Sequence, residues 1–216
     1  MAQSAELQEC TMLTGLRQQT KLVHEQLHHH SHFVALFEQT IDLQQYRDLL
    51  ERFYGFYAAL DDAIALSIGV NPDAMGGFIY AKRKDLLAQD LRSLGLTPAK
   101  IALIPRCDQM FDVVSPATLG GVLYVIEGST LGAAQIDRAA QKLLSRVTQN
   151  GRHFWAWARA HNKVRWSMTL DYILHLDEMA VAQDPVNGGA NDTFQALADW
   201  LAPLDQPIRL VESVHS

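Results

Sequence analysis

The sequence predicts an all-α, single-domain bundle, on three observations. Apolar residues recur at spacings of three and four along almost the whole chain. The β-branched alternation of strands is nearly missing: GVLYVIEG alone reads as a strand, and its Ser-Pro start and helical continuation favour helix. The 216 residues, 48% hydrophobic, suit one globular core with at most a small appendage. The helical domain is expected over 11–204, between a flexible N-terminus at 1–10 and a C-terminal tail at 205–216.

The elements follow in order. Leu13, Leu16, Thr20, Val23 and Leu27 give a helix over 11–29. Asp42 is placed to cap a long helix, LQQYRDLLERFYGFYAALDDAIALSI, ending near Gly69 with Asn71-Pro72 beyond it. AKRKDLLAQDLRSLG reads as a helix closed by Gly95. The stretch SPATLGGVLYVIEGSTLGAAQIDRAAQKLLSRV opens with Ser115 as cap and Pro116 at the first helical position. Residues 151–183 give one or two further helices. NDTFQALADWLAPL gives the last, capped by Asn191 or Asp192.

Composition excludes several function classes. The net charge of -6 argues against a nucleic-acid footprint, and the one basic cluster, KRK at 82–84, is local. Cys10 and Cys107 form no CxxC pair, which argues against a disulfide scaffold or thiolate zinc site and for a reducing compartment. No apolar run approaches the roughly 18 residues of a membrane span. The opening MAQSAELQEC lacks the basic and apolar regions of a secretory signal. The expectation is a cytoplasmic protein with neither nucleic acid nor membrane as partner.

Two stretches carry chemistry. In LRQQTKLVHEQLHHHSH, five histidines fall within nine positions. On a helix, Arg17, Thr20, His24 and His28 share one face, while His29, His30 and His32 turn away or lie past its end. Polar surface at a helix end is the plain reading, since cations suit a helix C-terminus. A multi-histidine zinc site needs two or three more ligands. His24-Glu25-Gln26-Leu27-His28 satisfies the HExxH pattern of metalloproteases, but that chemistry also needs a third ligand and a sheet edge, and no sheet is evident. In the second stretch, YVIEGSTLGAAQI, Gly128 and Gly132 fall on one face of a helix at about 1 kcal/mol each relative to alanine. Either another helix packs closely there, or a flat ligand approaches bare backbone and the helix bends at the glycines.

A helix offering a histidine and a facing helix with bare glycines would form a slot for a planar macrocycle. With LRQQTKLVHEQL, YRDLLERFYGFYAALDD, KRKDLLAQDLRSLG and GVLYVIEGSTLGAAQI in this order, the chain resembles a bacterial heme oxygenase of the type that accompanies bacterial phytochromes. The resemblance runs over roughly residues 13–136. It implies a heme oxygenase-like bundle with heme sandwiched between a proximal and a distal helix. It implies His24 as the iron ligand, Thr20 beside it, and Arg17, Lys21 and, more weakly, Arg138 and Arg165 as partners for the propionates. Gly128, Ser129, Gly132 and Tyr57 would form the distal side, whereas Trp155, Trp157 and Trp166 would pack the C-terminal helices. Ser129 stands where several relatives carry an aspartate, Ala133 where a further glycine is common, and His28 where some carry a glutamate.

The implied reaction is ring opening of heme, both cofactor and substrate, by O2 to biliverdin, CO and ferrous iron. No GxGxxG fingerprint is present, so electrons would come from an external ferredoxin or flavoprotein reductase. A bacteriophytochrome could receive the biliverdin. The departures at Ser129 and Ala133 keep open a heme-binding protein without ring opening. A di-metal bundle and a cofactor-free interaction module are the readings from other classes.

Overall fold

The structure, a computed structural model, describes residues 10–70, 78–109, 113, 115–145 and 149–205. The expectations for 1–9, for Asn71-Pro72 and for 206–216 lie outside these residues. Helix α1 spans Thr11–His28 and buries Leu13, Leu16 and Thr20, with Val23 and Leu27 half-buried behind them. Its end is followed at once by a short helix that periodicity did not predict, α2 at Ser31–Glu38. A buried histidine makes that turn. His30 accepts from the His32 backbone N–H at Nδ1 (3.3 Å) and lies 3.2 Å from the Leu201 carbonyl through Nε2. A single tautomer, protonated at Nε2, serves both contacts.

Helix α3, Leu43–Val70, begins as the sequence predicts. Asp42 accepts from the Gln45 N–H and Gln45 accepts from the Asp42 N–H, each at 2.8 Å, so both open donors are satisfied reciprocally. Helix α4 is Lys84–Ser93, three residues shorter at its start than expected. The reason is tertiary: Asp61 of α3 accepts from the backbone N–H groups of Arg83 and Lys84 at 2.9 Å, fixing the first turn there. Gly95, at φ +94, closes the helix as expected. A further short helix, α5 at Pro98–Ala102, is capped by Thr97.

Helix α6, Pro116–Gly128, opens on a capping box between Ser115 and Thr118. The single helix expected to continue from it does not. The chain tightens into a 3₁₀ segment at Ser129–Gly132 and resumes as α7, Ala133–Leu144. Helix α8, His153–Glu178, is one helix, started by Asp90 of α4. That carboxylate accepts from the His153 N–H at 2.5 Å and the Phe154 N–H at 2.9 Å.

Helix α9, Gln183–Leu201, corrects the expected cap: Asn191 and Asp192 lie inside it. Gly188 and Gly189 read as breakers in isolation, but packing overrides them. A Cβ on Gly189 would overlap the Thr118 carbonyl, and one on Gly121 would overlap the Val186 carbonyl. Bare backbone on both sides lets α6 and α9 lie against each other more extensively than any other pair of helices. Helix α6 is buried along most of its length, against α8 and α9, and α1 crosses α9. Phe53, Tyr57, Phe154 and Trp155 stack the far side of the core, with Phe154 and Trp155 centroids 4.6 Å apart. Among the described residues no helix is long and apolar enough to cross a membrane.

Candidate functional site

The histidine face of α1 and the break after α6 line one cavity of about 260 Å³. From α1 come Arg17, Thr20, Lys21 and His24; from the break, Gly128, Ser129 and Leu131. Tyr124 and Val125 of α6, Trp166 of α8 and Phe194 of α9 complete the walls. The lining is apolar and aromatic inside. Its cations sit on the exposed side, where Lys21 is 73% exposed and lies 3.9 Å from Glu25.

His24 is open to solvent at this rim. Its ring packs edge-on against His28 (centroids 4.5 Å apart) and Phe194 (6.1 Å), and among the described residues it makes no hydrogen bond. Partial burial, reinforced by His28, lowers its pKa below the ordinary histidine value. The ring is therefore neutral at neutral pH and a nitrogen lone pair is free for a metal. Thr20 is buried; its hydroxyl donates to the Leu16 carbonyl (2.7 Å), and the Tyr124 phenol reaches it from α6. It ties α1 to α6 at the floor of the cavity.

The break opposite is held by a buried charge cluster. Glu127, the residue before Gly128, takes Arg83 at 2.7 Å and Arg165 at 2.6 and 2.9 Å. Burial acts to raise the Glu127 carboxyl, but the two guanidiniums outweigh it and hold it below the ordinary glutamate value. The Arg83 guanidinium also lies over the rings of Tyr57 and Tyr80 at 5.5 and 5.3 Å. Tyr57 stands behind the break, fully enclosed, within hydrogen-bond reach of the Ser129 hydroxyl, which donates to the Ile126 carbonyl at 3.0 Å. Burial raises the Tyr57 pKa, so the phenol keeps its proton.

The expected site residues thus divide. His24, Thr20, Arg17, Lys21, Gly128 and Ser129 meet at the cavity, and Tyr57 stands one shell behind Ser129. Gly132 is exposed just past Leu131, and Arg138 is exposed on α7; neither lines the cavity. Arg165 is committed to Glu127 rather than to the mouth. Ala133 is buried and does not line the cavity. Trp166, expected only to pack helices, is a cavity wall, 3.2 Å from where a Gly128 Cβ would stand. The sequence does not assign Tyr124, Leu131, Trp166 or Phe194 to the site because their convergence is long-range; only Tyr124, one turn before Gly128, carries a local signal. Among the described residues no group of three or more histidine, cysteine or acidic side chains could hold a metal ion, and none forms a strand, so the zincin and di-metal readings lack their ligand sets.

Comparison with known proteins identifies the family of the chain. The Heme oxygenase family matches residues 10–202. A heme oxygenase of Xanthomonas campestris pv. campestris (strain 8004) is 35% identical over 112 residues, a match spanning 50% of this chain and 60% of that relative's length. Heme oxygenase-1 of the cyanobacterium Synechocystis sp. PCC6803, solved in complex with heme, superposes with a TM-score of 0.65 at 17% identity, covering 90% of this chain and 92% of that one. With the match running through α1, the break and α9 alike, the chain belongs to the heme oxygenase family.

Proposed function

We propose that the chain binds heme between α1 and the break after α6 and opens its ring with O2 and external electrons, releasing biliverdin, CO and ferrous iron. The observation that carries the reading is the shared cavity: the neutral imidazole of His24, which makes no hydrogen bond among the described residues, and bare backbone at Gly128 line the same apolar space. The residues present fit the group. His24 would hold the iron, the aromatic walls would cover the macrocycle, and Arg17 and Lys21 at the rim would meet its carboxylates. Heme, when bound, supplies the iron centre that activates O2 and is itself the ring that is opened.

The chain's own part is orientation and proton placement. Gly128 presents no side chain to the cavity, so a flat ligand can lie against the backbone there. Ser129 sits at the same surface with its hydroxyl held by Ile126, and the Tyr57 phenol behind it keeps a proton in reach of that oxygen. Tyr57 therefore braces the Ser129 oxygen at the cavity surface, in the place where several relatives use an acid, while the Ser129 proton is committed to the Ile126 carbonyl. Tyr124, Trp166 and Phe194 line the interior with ring surface that a bound macrocycle would cover.

A ferredoxin or flavoprotein reductase would supply electrons in the cytoplasm, and a bacteriophytochrome is the proposed recipient of the product. The test is to mix purified protein with hemin, add a ferredoxin reducing system in air and follow the spectrum. A Soret band decaying into biliverdin absorbance is expected. A Soret band that persists would leave a heme binder without turnover, and no Soret band would overturn the reading.

A further inference from the structure

His24 and His28 satisfy the HExxH spacing, yet heme chemistry uses only one of them. Both are exposed on the same face of α1, one turn apart. Their rings stand 82° apart with centroids separated by 4.5 Å. That separation has a chemical meaning. A metal bound in the plane of an imidazole at about 2.1 Å lies about 3.2 Å from the ring centroid, so two imidazoles on one ion have centroids about 4.5–5.2 Å apart for right-angled to tetrahedral coordination. The separation matches the lower figure, and because both side chains are exposed, rotation about their own bonds is enough to turn one nitrogen of each ring toward a shared ion. No third protein ligand is at hand among the described residues, so the remaining coordination positions would go to water or small anions.

We propose that the heme-free chain holds one divalent late transition-metal ion, of the copper–zinc class, between His24 and His28, and that this ion and heme exclude each other. Neutral imidazole suits these ions, and copper is held most tightly of the first-row divalent series. The ion engages the same ring that is proposed to ligate heme iron, so one occupant must leave before the other enters. A heme-free chain in a metal-rich setting is then blocked at its mouth. The exclusion rests on the heme reading; the metal site does not.

The experiment titrates the heme-free full-length chain with Cu²⁺ in a non-coordinating buffer, by calorimetry and by electron paramagnetic resonance. One equivalent with nitrogen hyperfine structure is expected. Affinity should fall roughly tenfold or more in His24→Ala and in His28→Ala, since even outer-shell changes weaken metal sites on that scale. His29→Ala, which alters the adjacent imidazole, should leave it unchanged. All three positions are exposed, and circular dichroism checks that each variant is folded. Unchanged copper affinity in His28→Ala overturns the site. Hemin is then added with and without Zn²⁺. Zinc should weaken Soret development in the parent chain but not in His28→Ala; hemin binding that ignores zinc in the parent overturns the exclusion. A chain that binds copper as expected but gives no Soret band with hemin refutes the heme reading while keeping the metal site.

Discussion

The Arg83 guanidinium and the Glu127 carboxylate meet at 2.7 Å with neither side chain exposed at all. Arg165 joins them, and its side chain is 10% exposed. Together they bind α8 and the start of α4 to the last residue before Gly128. Removing the carboxylate strands two buried cations, a loss of about 3–5 kcal/mol for a broken buried pair. At roughly 2–4 °C per kcal/mol for a domain of this size, Glu127→Ala should melt roughly 6–20 °C lower by circular dichroism. An unchanged melting temperature would show that the cluster does not hold the break.

The same cluster sets an acid limit. Because Glu127 is held below its ordinary value in the folded chain, its contribution is complete above the unfolded value near 4.5 and is lost as pH falls through the folded value. Asp61 and Asp90 act in the opposite sense, since burial raises them. The difference in urea-unfolding free energy between the parent chain and Glu127→Gln isolates the glutamate. That difference should shrink as pH falls from 6 to 3; a pH-independent difference would assign the effect to packing instead.

Glycines 121 and 132 should respond in opposite ways. A Cβ at Gly121 collides with α9 backbone, including Ala190 N at 2.5 Å, which side-chain motion cannot relieve. Gly121→Ala is expected to cost about 3 kcal/mol or more, at the upper end of overpacking losses. A Cβ at Gly132 meets nothing within 4 Å, so Gly132→Ala should lie within about 0.5 kcal/mol of the parent. Chemical denaturation of the pair measures both, and equal losses would contradict the helix contact.

The histidines divide the same way. His30→Ala removes a buried ring that contacts the Leu201 carbonyl and caps α2, so the melting temperature should drop while hemin still gives a Soret band in the folded fraction. His24→Ala, at an exposed rim, should keep its melting temperature and lose the band. A Soret band retained in His24→Ala would move the iron ligand elsewhere.

Much of this was legible in the sequence, for local reasons. Asp42, Ser115 and Gly95 mark helix ends because capping depends on residues within one turn. Arg17, Thr20 and His24 could be grouped because helical spacing fixes which residues share a face, whereas the same spacing paired Gly128 with Gly132, which the break after α6 turns away from the cavity. What stayed hidden depends on distant partners. The start of α4 is set by Asp61, and α9 runs through Gly188-Gly189 because α6 offers Gly121 opposite. Trp166 reaches the cavity only through the α8 packing, and Arg165 is drawn from the rim by a glutamate 38 residues away.

The contact between His30 and Leu201 spans 171 residues. The turn that follows α1 is thus fastened by a carbonyl at the end of α9, and Asp205 adds a 2.8 Å bond to the Ser31 N–H. Synthesis proceeds from the N-terminus, so His24 leaves the ribosome long before its support. A nascent chain carries α1 early, but the turn after it is fastened, and the cavity wall at Phe194 completed, only when α9 has emerged.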